Sequence, residues 1–186
     1  MRSSYSATPT ISPAPDDAHP PAPLRAVFSL SGNGMIGDLS QSEQDSLLRS
    51  QRVGRIGCHY NGITYVVPVS YVFQEGYVYS RSKEGMKIQM MRRNPLVCFE
   101  VDEVKDLHNW KSVIAWGNFE ELKGPESTKA FNLLSRTLGD LQPEPMEQTG
   151  QNTNGPYRDI LFRIKLFDIT GRFERRHRRR SKSQGS

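Results

Sequence analysis

The sequence predicts a mainly β protein, a small antiparallel barrel of about six strands with a few short helices. Three observations carry that reading. Six runs are rich in β-branched and aromatic residues, and the first two are joined by Asn61-Gly62, the strongest short-range signal for a tight hairpin. Helical spacing is confined to a few short stretches. The links between the β-rich runs carry too little helix for the crossovers that a parallel sheet requires.

The elements follow in order. Residues 1–34 are rich in Pro, Ser and Ala and bury too little apolar surface to offset their ordering entropy, so a disordered tail is expected there. Ser31-Gly32-Asn33-Gly34 is expected to break any element before a domain spanning 35–173. Ser40-Gln41-Ser42-Glu43 has the capping-box pattern and opens a short helix that buries Leu47 and Leu48 and ends near Gln51. Val53–Tyr60 and Ile63–Phe73 form the hairpin, and Gln74-Glu75-Gly76 turns the chain into Tyr77–Arg81, completing a three-stranded meander. Met86, Met90 and Met91 sit at helical spacing until Asn94-Pro95 stops that helix and launches Leu96–Val101, a run apolar enough for a buried strand. Val113–Glu120 is the next strand. Glu126–Leu138 is a helix with Ala130, Leu133, Leu134 and Leu138 on one side. A polar loop at 139–156 leads into a long last strand, Arg158–Phe173, expected to break near Gly171, and 174–186 form a second tail.

Length and composition narrow the function classes. A chain of 186 residues suits one domain. Cys58 and Cys98 lie in apolar, strand-like runs, and no charged-then-apolar leader is seen, which points to reduced, buried thiols in a cytoplasmic protein. The four histidines are scattered without chelating spacing, so no metal is expected. Apolar runs are of strand length, so neither a membrane span nor a membrane partner is expected. The formal charge of +5 sits entirely at one end: Arg172–Ser186 holds seven Lys or Arg against Glu174 alone, and the body is slightly acidic. Such a run is usually a solvated end that touches RNA, DNA or anionic lipid only non-specifically. With no aromatic residue beyond Phe173 to stack bases, nucleic acid is not expected as a specific partner.

The stretch YVYSRSKEGMKIQMMRRNP, Tyr77–Pro95, crowds hydroxyls and cations at the joint between a strand and a helix. A helix start offers unpaired N–H groups and partial positive charge, so Ser80, Arg81, Ser82, Lys83 and Lys87 converge where a phosphate would be favoured. The same residue types also suit plain solvated surface, and both readings stand at this point.

Three separated motifs in order, GRIGCHYNGITYVVPVSYVF, YSRSKEGMKIQMMRRNPLVCFEVD and SVIAWGNFEEL, resemble the pyridoxamine 5'-phosphate oxidase-like FMN-binding split barrels. The branch they resemble most is that of the nitroimidazole-resistance and related flavin-binding proteins. The resemblance runs from about Gly37 to Leu122 and implies a homodimer with FMN at its interface. It places Val67, Pro68, Val69 and Ser70 along the isoalloxazine, with Ser82, Lys83 and Lys87 as the main phosphate ligands and Ser80 and Arg81 behind them. Arg55 is carried over more weakly, and Trp116 is placed near the flavin or across the dimer seam. A proline inside a strand also belongs at an edge or interruption, which suits Pro68 with or without a ligand.

Ser80 stands where some nitroimidazole-resistance proteins have histidine, and Met86 replaces a polar helix position, so nitro-reduction by that route is not implied. The leading expectation is a flavin-dependent oxidoreductase of unassigned substrate; the alternative is a non-catalytic module that binds or senses flavin or haem. The resemblance leaves haem or a deazaflavin open in place of FMN.

Overall fold

All six expected strands form, and they close into a ring. The computed structural model describes residues 29–31, 34–139 and 159–176, with side chains from Met35 on. In chain order the elements are β1 (Ser29–Ser31), β2 (Gly34–Asp38), α1 (Gln41–Ser50), β3 (Val53–Tyr60), β4 (Ile63–Gln74), β5 (Tyr77–Ser82), α2 (Met86–Arg93), β6 (Leu96–Asp106), β7 (Asn109–Glu121), α3 (Gly124–Leu138) and β8 (Ile160–Arg176). Around the barrel the order is β8-β5-β4-β3-β6-β7, and β7 returns to β8. Every pairing is antiparallel.

Local chemistry explains the turns. Asn61 and Gly62 both have positive φ, 50° and 76°, as a two-residue hairpin turn demands. Glu75 and Gly76 repeat the geometry at 52° and 78°, with Glu75 holding a left-handed conformation that its type rarely adopts. Ser40 caps α1 through Glu43 N–H, and the Glu43 carboxylate accepts from Ser40 N–H, so the capping box forms as read.

The barrel interior takes every second residue of its strands. Ile56, Phe99, Val101, Val113, Phe162 and Ile164 are buried there. Leu47 and Leu48 of α1 and Ile88, Met90 and Met91 of α2 join the same core. Tyr71 ties α1 to the sheet: its ring meets Phe99 edge-on at 4.9 Å, and its hydroxyl donates to the Leu48 carbonyl at 2.8 Å. Burial pushes that hydroxyl's pKa up. On the outside, Ala130, Phe131 and Leu134 of α3 cover Val72, Leu122 and Leu161.

Three features depart from the sequence reading. A short antiparallel pair, β1–β2, lies where a break was expected, and β2 pairs with the end of β8. These strands carry little apolar alternation; the open β8 edge supplies hydrogen bonds to β2, and β2 in turn supplies them to β1. Second, β8 does not break at Gly171. A Cβ there would sit 2.8 Å from Gln44 Cγ and 3.0 Å from Leu39 Cβ, and Leu39 N–H donates to the Gly171 carbonyl at 2.9 Å. The glycine lets the start of α1 approach the strand. Third, β6 and β7 run on through polar residues, Asp102–Asp106 and Asn109–Ser112, held by ladder pairing rather than burial. The sheet therefore includes Ser29–Ser31 and reaches Arg176; the rest of the two expected tails and the loop from 140 lie outside the described residues.

Gly117 is the tightest test of packing. A Cβ there would lie 2.5 Å from Ile164 Cγ2 and 2.7 Å from the Lys165 carbonyl oxygen, beside the register shift between Trp116 and Gly117. Backbone cannot yield as a flexible side chain can, so Gly117→Ala is expected to cost about 1–3 kcal/mol in chemical denaturation. An unchanged midpoint would show that β7 and β8 separate freely there.

Candidate functional site

Strand β4 serves two partners in succession. Over Ile63–Ser70 it pairs with β3, and over Tyr71–Gln74 with β5. The β4–β5 ladder ends at Tyr71–Ser80, although the same register would bring Ser70 opposite Arg81 and Val69 opposite Ser82. Past that point β5 stays on β8 and β4 stays on β3, so the barrel forks. Among the described residues no strand pairs with the free β4 edge over 63–70. Apart from the Ser70 carbonyl, its backbone hydrogen-bonding groups on that side have no partner among the described residues.

Each residue at the fork has a definite place. Pro68 lies in the open stretch, where a missing donor is tolerated. Val69 is buried, Val67 is half-buried, and Pro68 and Ser70 are exposed. Ser80 is fully buried, and its hydroxyl donates to the Ser70 carbonyl at 2.8 Å, closing the crotch of the fork. It is a structural donor rather than one offered to a ligand. Arg81 is paired with Asp159 at 2.9 Å. The Ser82 hydroxyl donates to the Lys83 carbonyl at 2.7 Å and has to rotate to serve a ligand.

Beyond β5 the chain reaches α2 through Gly85, whose extended backbone leaves the helix start with no side-chain cap and no acidic residue in its first turn. Such a start favours an anion. The only carboxylate in the connecting turn, Glu84, is drawn to Arg92 at 2.8 Å, and Arg92 also donates to Glu121 at 2.7 Å. The Glu121 and Glu84 carboxylates hold the Arg92 pKa above its ordinary value. Lys83 is exposed, and Lys87 is half-buried. Lys87 makes no hydrogen bond or ion pair among the described residues, and its charge is felt at Cys58, whose pKa burial nevertheless pushes up.

Two expected residues lie elsewhere. Arg55 is the cross-strand partner of Pro68 on the outer face, but its guanidinium is committed to Asp102 at 2.5 Å and Glu100 at 2.9 Å. Those two carboxylates raise its pKa. Trp116 lies in one row across the sheet with Cys98, Gly57 and Val66. Three strand spacings, roughly 14 Å, separate it from β4, so it does not line the fork of its own chain. The row presents partly exposed Trp116 and Val66 on the outer surface, with Gly57 leaving a notch between Val66 and Cys98. Arg92 and Asp159 were missed from sequence because Arg92 reaches Glu121 on β7 and Asp159 reaches Arg81 on β5, both distant in the chain.

A cavity of about 290 Å³ between α3 and the sheet, lined in part by Gln74, Tyr79, Leu133 and Arg163, shares no residue with the β5–α2 turn. Among the described residues no cluster of His, Cys, Asp and Glu could hold a metal.

A mainly antiparallel six-stranded ring, forked beside a cation-bearing helix start, defines a split-barrel protein. The chain belongs to the pyridoxamine 5'-phosphate oxidase family, whose sequence profile matches residues 40–173. A crystal structure of an FAD-binding protein from Mesorhizobium loti is 32% identical, covers 74% of this chain and 97% of its own, and superposes with a TM-score of 0.60. An uncharacterized protein of Rhizobium meliloti is 27% identical over 139 residues, 72% of this chain and 92% of its own. A candidate 5-nitroimidazole antibiotic resistance protein from Bacteroides thetaiotaomicron shares the fold at 18% identity and a TM-score of 0.58, covering 80% of this chain and 93% of its own.

Arg92 holds the turn to β7, so Arg92→Ala is expected to loosen residues 83–85. Both pairs are partly exposed, which limits the loss of global stability to about 1 kcal/mol. Amide exchange of the 83–87 backbone should speed up well beyond that of the barrel strands; equal protection in both proteins would show that Arg92 is not the anchor.

Proposed function

We propose that the chain binds a flavin nucleotide along the free β4 edge, within a homodimer, and works as a cytoplasmic oxidoreductase of unassigned substrate. The fork carries this reading: a β4 edge that no strand pairs with, and an uncapped helix start just past the end of β5 where Lys87 has no hydrogen-bond or ion-pair partner, both among the described residues. The backbone of Val67–Ser70 offers donors and acceptors for the polar edge of a ring system. Lys87, Lys83 and the first N–H groups of α2 suit a phosphate, with Ser82 joining once its hydroxyl turns. FMN is the expected form, and FAD, named for the Mesorhizobium loti protein, is the alternative.

When bound, the flavin would supply the hydride and electron chemistry. The chain's own contribution is binding and orientation. Of the residues at the fork, 66–71 and 80–87, only Glu84 is a carboxylate and none is histidine, and Glu84 is engaged by Arg92. The lack of a free carboxylate or a histidine among these residues favours the second reading, a non-catalytic flavin carrier or sensor. NAD(P)H oxidation by the loaded protein with a range of acceptors separates the two.

The homodimer reading is supported by the distance between the fork and Trp116. If one flavin touches both, the tryptophan comes from the partner subunit. The outer face bearing Val53, Val66, Ile114 and Trp116 is apolar enough to pair with its own copy, with Val53 and Val66 about three-fifths exposed.

Lys87→Ala is expected to weaken flavin binding about 10- to 100-fold, with a smaller loss for Ser82→Ala, since one charge-assisted hydrogen bond contributes about 1.5–3 kcal/mol. Fluorescence titration with FMN and with FAD checks this, and undiminished affinity in both variants would remove the phosphate assignment. Dimerisation and flavin binding should also be linked, because a ligand of the assembled state stabilises it by mass action. Sedimentation across a dilution series should show flavin shifting the equilibrium to dimer and Trp116→Ala opposing it. A monomer holding stoichiometric flavin would refute the shared site.

A further inference from the structure

The cavity beside α3 has two unlike walls, and the flavin reading uses neither. One wall is the outer face of the sheet, where Val72, Tyr79, Arg163 and Glu120 lie in a single row across β4, β5, β8 and β7. The other is one side of α3, which presents Lys129, Leu133 and Arg136 at i, i+4 and i+7. The helix is seated through Ala130, Phe131 and Leu134 on Val72, Leu122 and Leu161. Tyr79 and Leu133 are only partly buried against that cluster, and the cavity of about 290 Å³ opens beside them. Clefts that take small organic molecules start at about 300 Å³.

The second observation is the charge of the lining. Arg163 is fixed: its Nε donates to Glu120 at 2.6 Å, Glu126 stands 3.8 Å from its Nη1, and its guanidinium lies 4.7 Å from the centre of the Tyr77 ring. Lys129 makes no hydrogen bond or ion pair among the described residues. Arg136 donates through Nε to the Asn132 carbonyl of its own helix at 3.3 Å and has no carboxylate partner among the described residues. Three cations, Arg163, Lys129 and Arg136, thus stand against two carboxylates, Glu120 and Glu126, an excess of one. Gln74 and Tyr79 add an amide and a phenol hydroxyl to the wall.

We propose that this cavity is a binding site, separate from the fork, for a small aromatic monocarboxylate whose ring lies between Tyr79 and Leu133 and whose carboxylate is taken by Lys129 and Arg136. Seven residues of helix rise about 10 Å, a span that two long side chains close between them. A pocket with an apolar floor and a few convergent polar groups orients a ligand that has one apolar and one charged end. Inorganic phosphate would meet the cations and leave Leu133 and Tyr79 uncovered, whereas an uncharged ring would leave the excess cation without a partner. The site stands whether or not the fork holds a flavin.

The experiment is titration calorimetry of the full chain with 2-naphthoate, its neutral counterpart 2-naphthamide, and inorganic phosphate. 2-Naphthoate should bind with a Kd of about 1 mM or tighter, and the other two at least about tenfold more weakly. Lys129→Gln and Arg136→Gln should each weaken 2-naphthoate by about three- to tenfold, since each removes a charged donor. Lys123→Gln, which changes an exposed cation that does not line the cavity, should bind as wild type does. Leu133→Trp, which fills the cavity, should abolish binding. Positions 129 and 136 are exposed, so circular dichroism should show both glutamine variants folded, and these two decide the matter if Leu133→Trp does not fold. No binding of 2-naphthoate, equal binding of 2-naphthamide, an equal loss in Lys123→Gln, or an affinity unmoved in both glutamine variants would each overturn the proposal. Titration is repeated with FMN present; competition between the two would place the carboxylate at the fork and overturn the separate site.

Discussion

The structure hangs on the parting of β4 from β5 after the Tyr71–Ser80 pair. A barrel can be closed only if each strand finds a partner on both sides, and here one strand stops doing so part-way along. β4 remains bound to β3 throughout Ile63–Ser70, while β5 continues on β8 to Ser82. The gap is kept open by ordinary interactions. Ser80 takes the Ser70 carbonyl, Pro68 supplies no donor, and Arg81 is held by Asp159. Backbone groups that would be satisfied in a closed barrel are thereby left facing a gap, beside a helix start without a capping side chain.

Charge around the fork is arranged by removal as much as by supply. Three arginines close to it in sequence or by strand pairing are occupied: Arg55 by Asp102 and Glu100, Arg81 by Asp159, Arg92 by Glu84 and Glu121. Arg92 has a double effect, because it also withdraws the one acid of the turn. Among the described residues Lys87, in the first turn of α2, then has no carboxylate partner. Ion pairs of this exposure add little to stability, so their main consequence is positional.

Most of the framework was legible because it rests on local signals. The capping box at Ser40, the Asn61-Gly62 turn and the Asn94-Pro95 stop act over three or four residues, and each formed where read. The segments that escaped the reading depend on distant chain. β1–β2 is held through the β8 end, the Gly171 position is explained only by Leu39 and Gln44 lying against it, and the polar ends of β6 and β7 have no burial pattern to betray them. The site followed the same rule. Hydroxyls and cations at the β5–α2 joint were visible as a cluster, but which were already engaged was not, since Ser80, Arg81 and Arg55 find partners between 10 and 78 positions away.

The closing strand is also the last among the described residues. β8 supplies one edge to all of β7 and its other edge first to β5 and then to β2, where Gly34 meets Arg176. During synthesis, β5 and β7 must therefore wait with bare edges until residues 160–176 have emerged. Contacts of such long sequence separation make folding slow, and waiting edges invite pairing with other chains. The meander of β3, β4 and β5 can form early on local turns, whereas the ring, the seat of β2 and the cover of α3 all await one seventeen-residue strand. A ribosome stalled before Ile160 would release an open sheet rather than a smaller barrel.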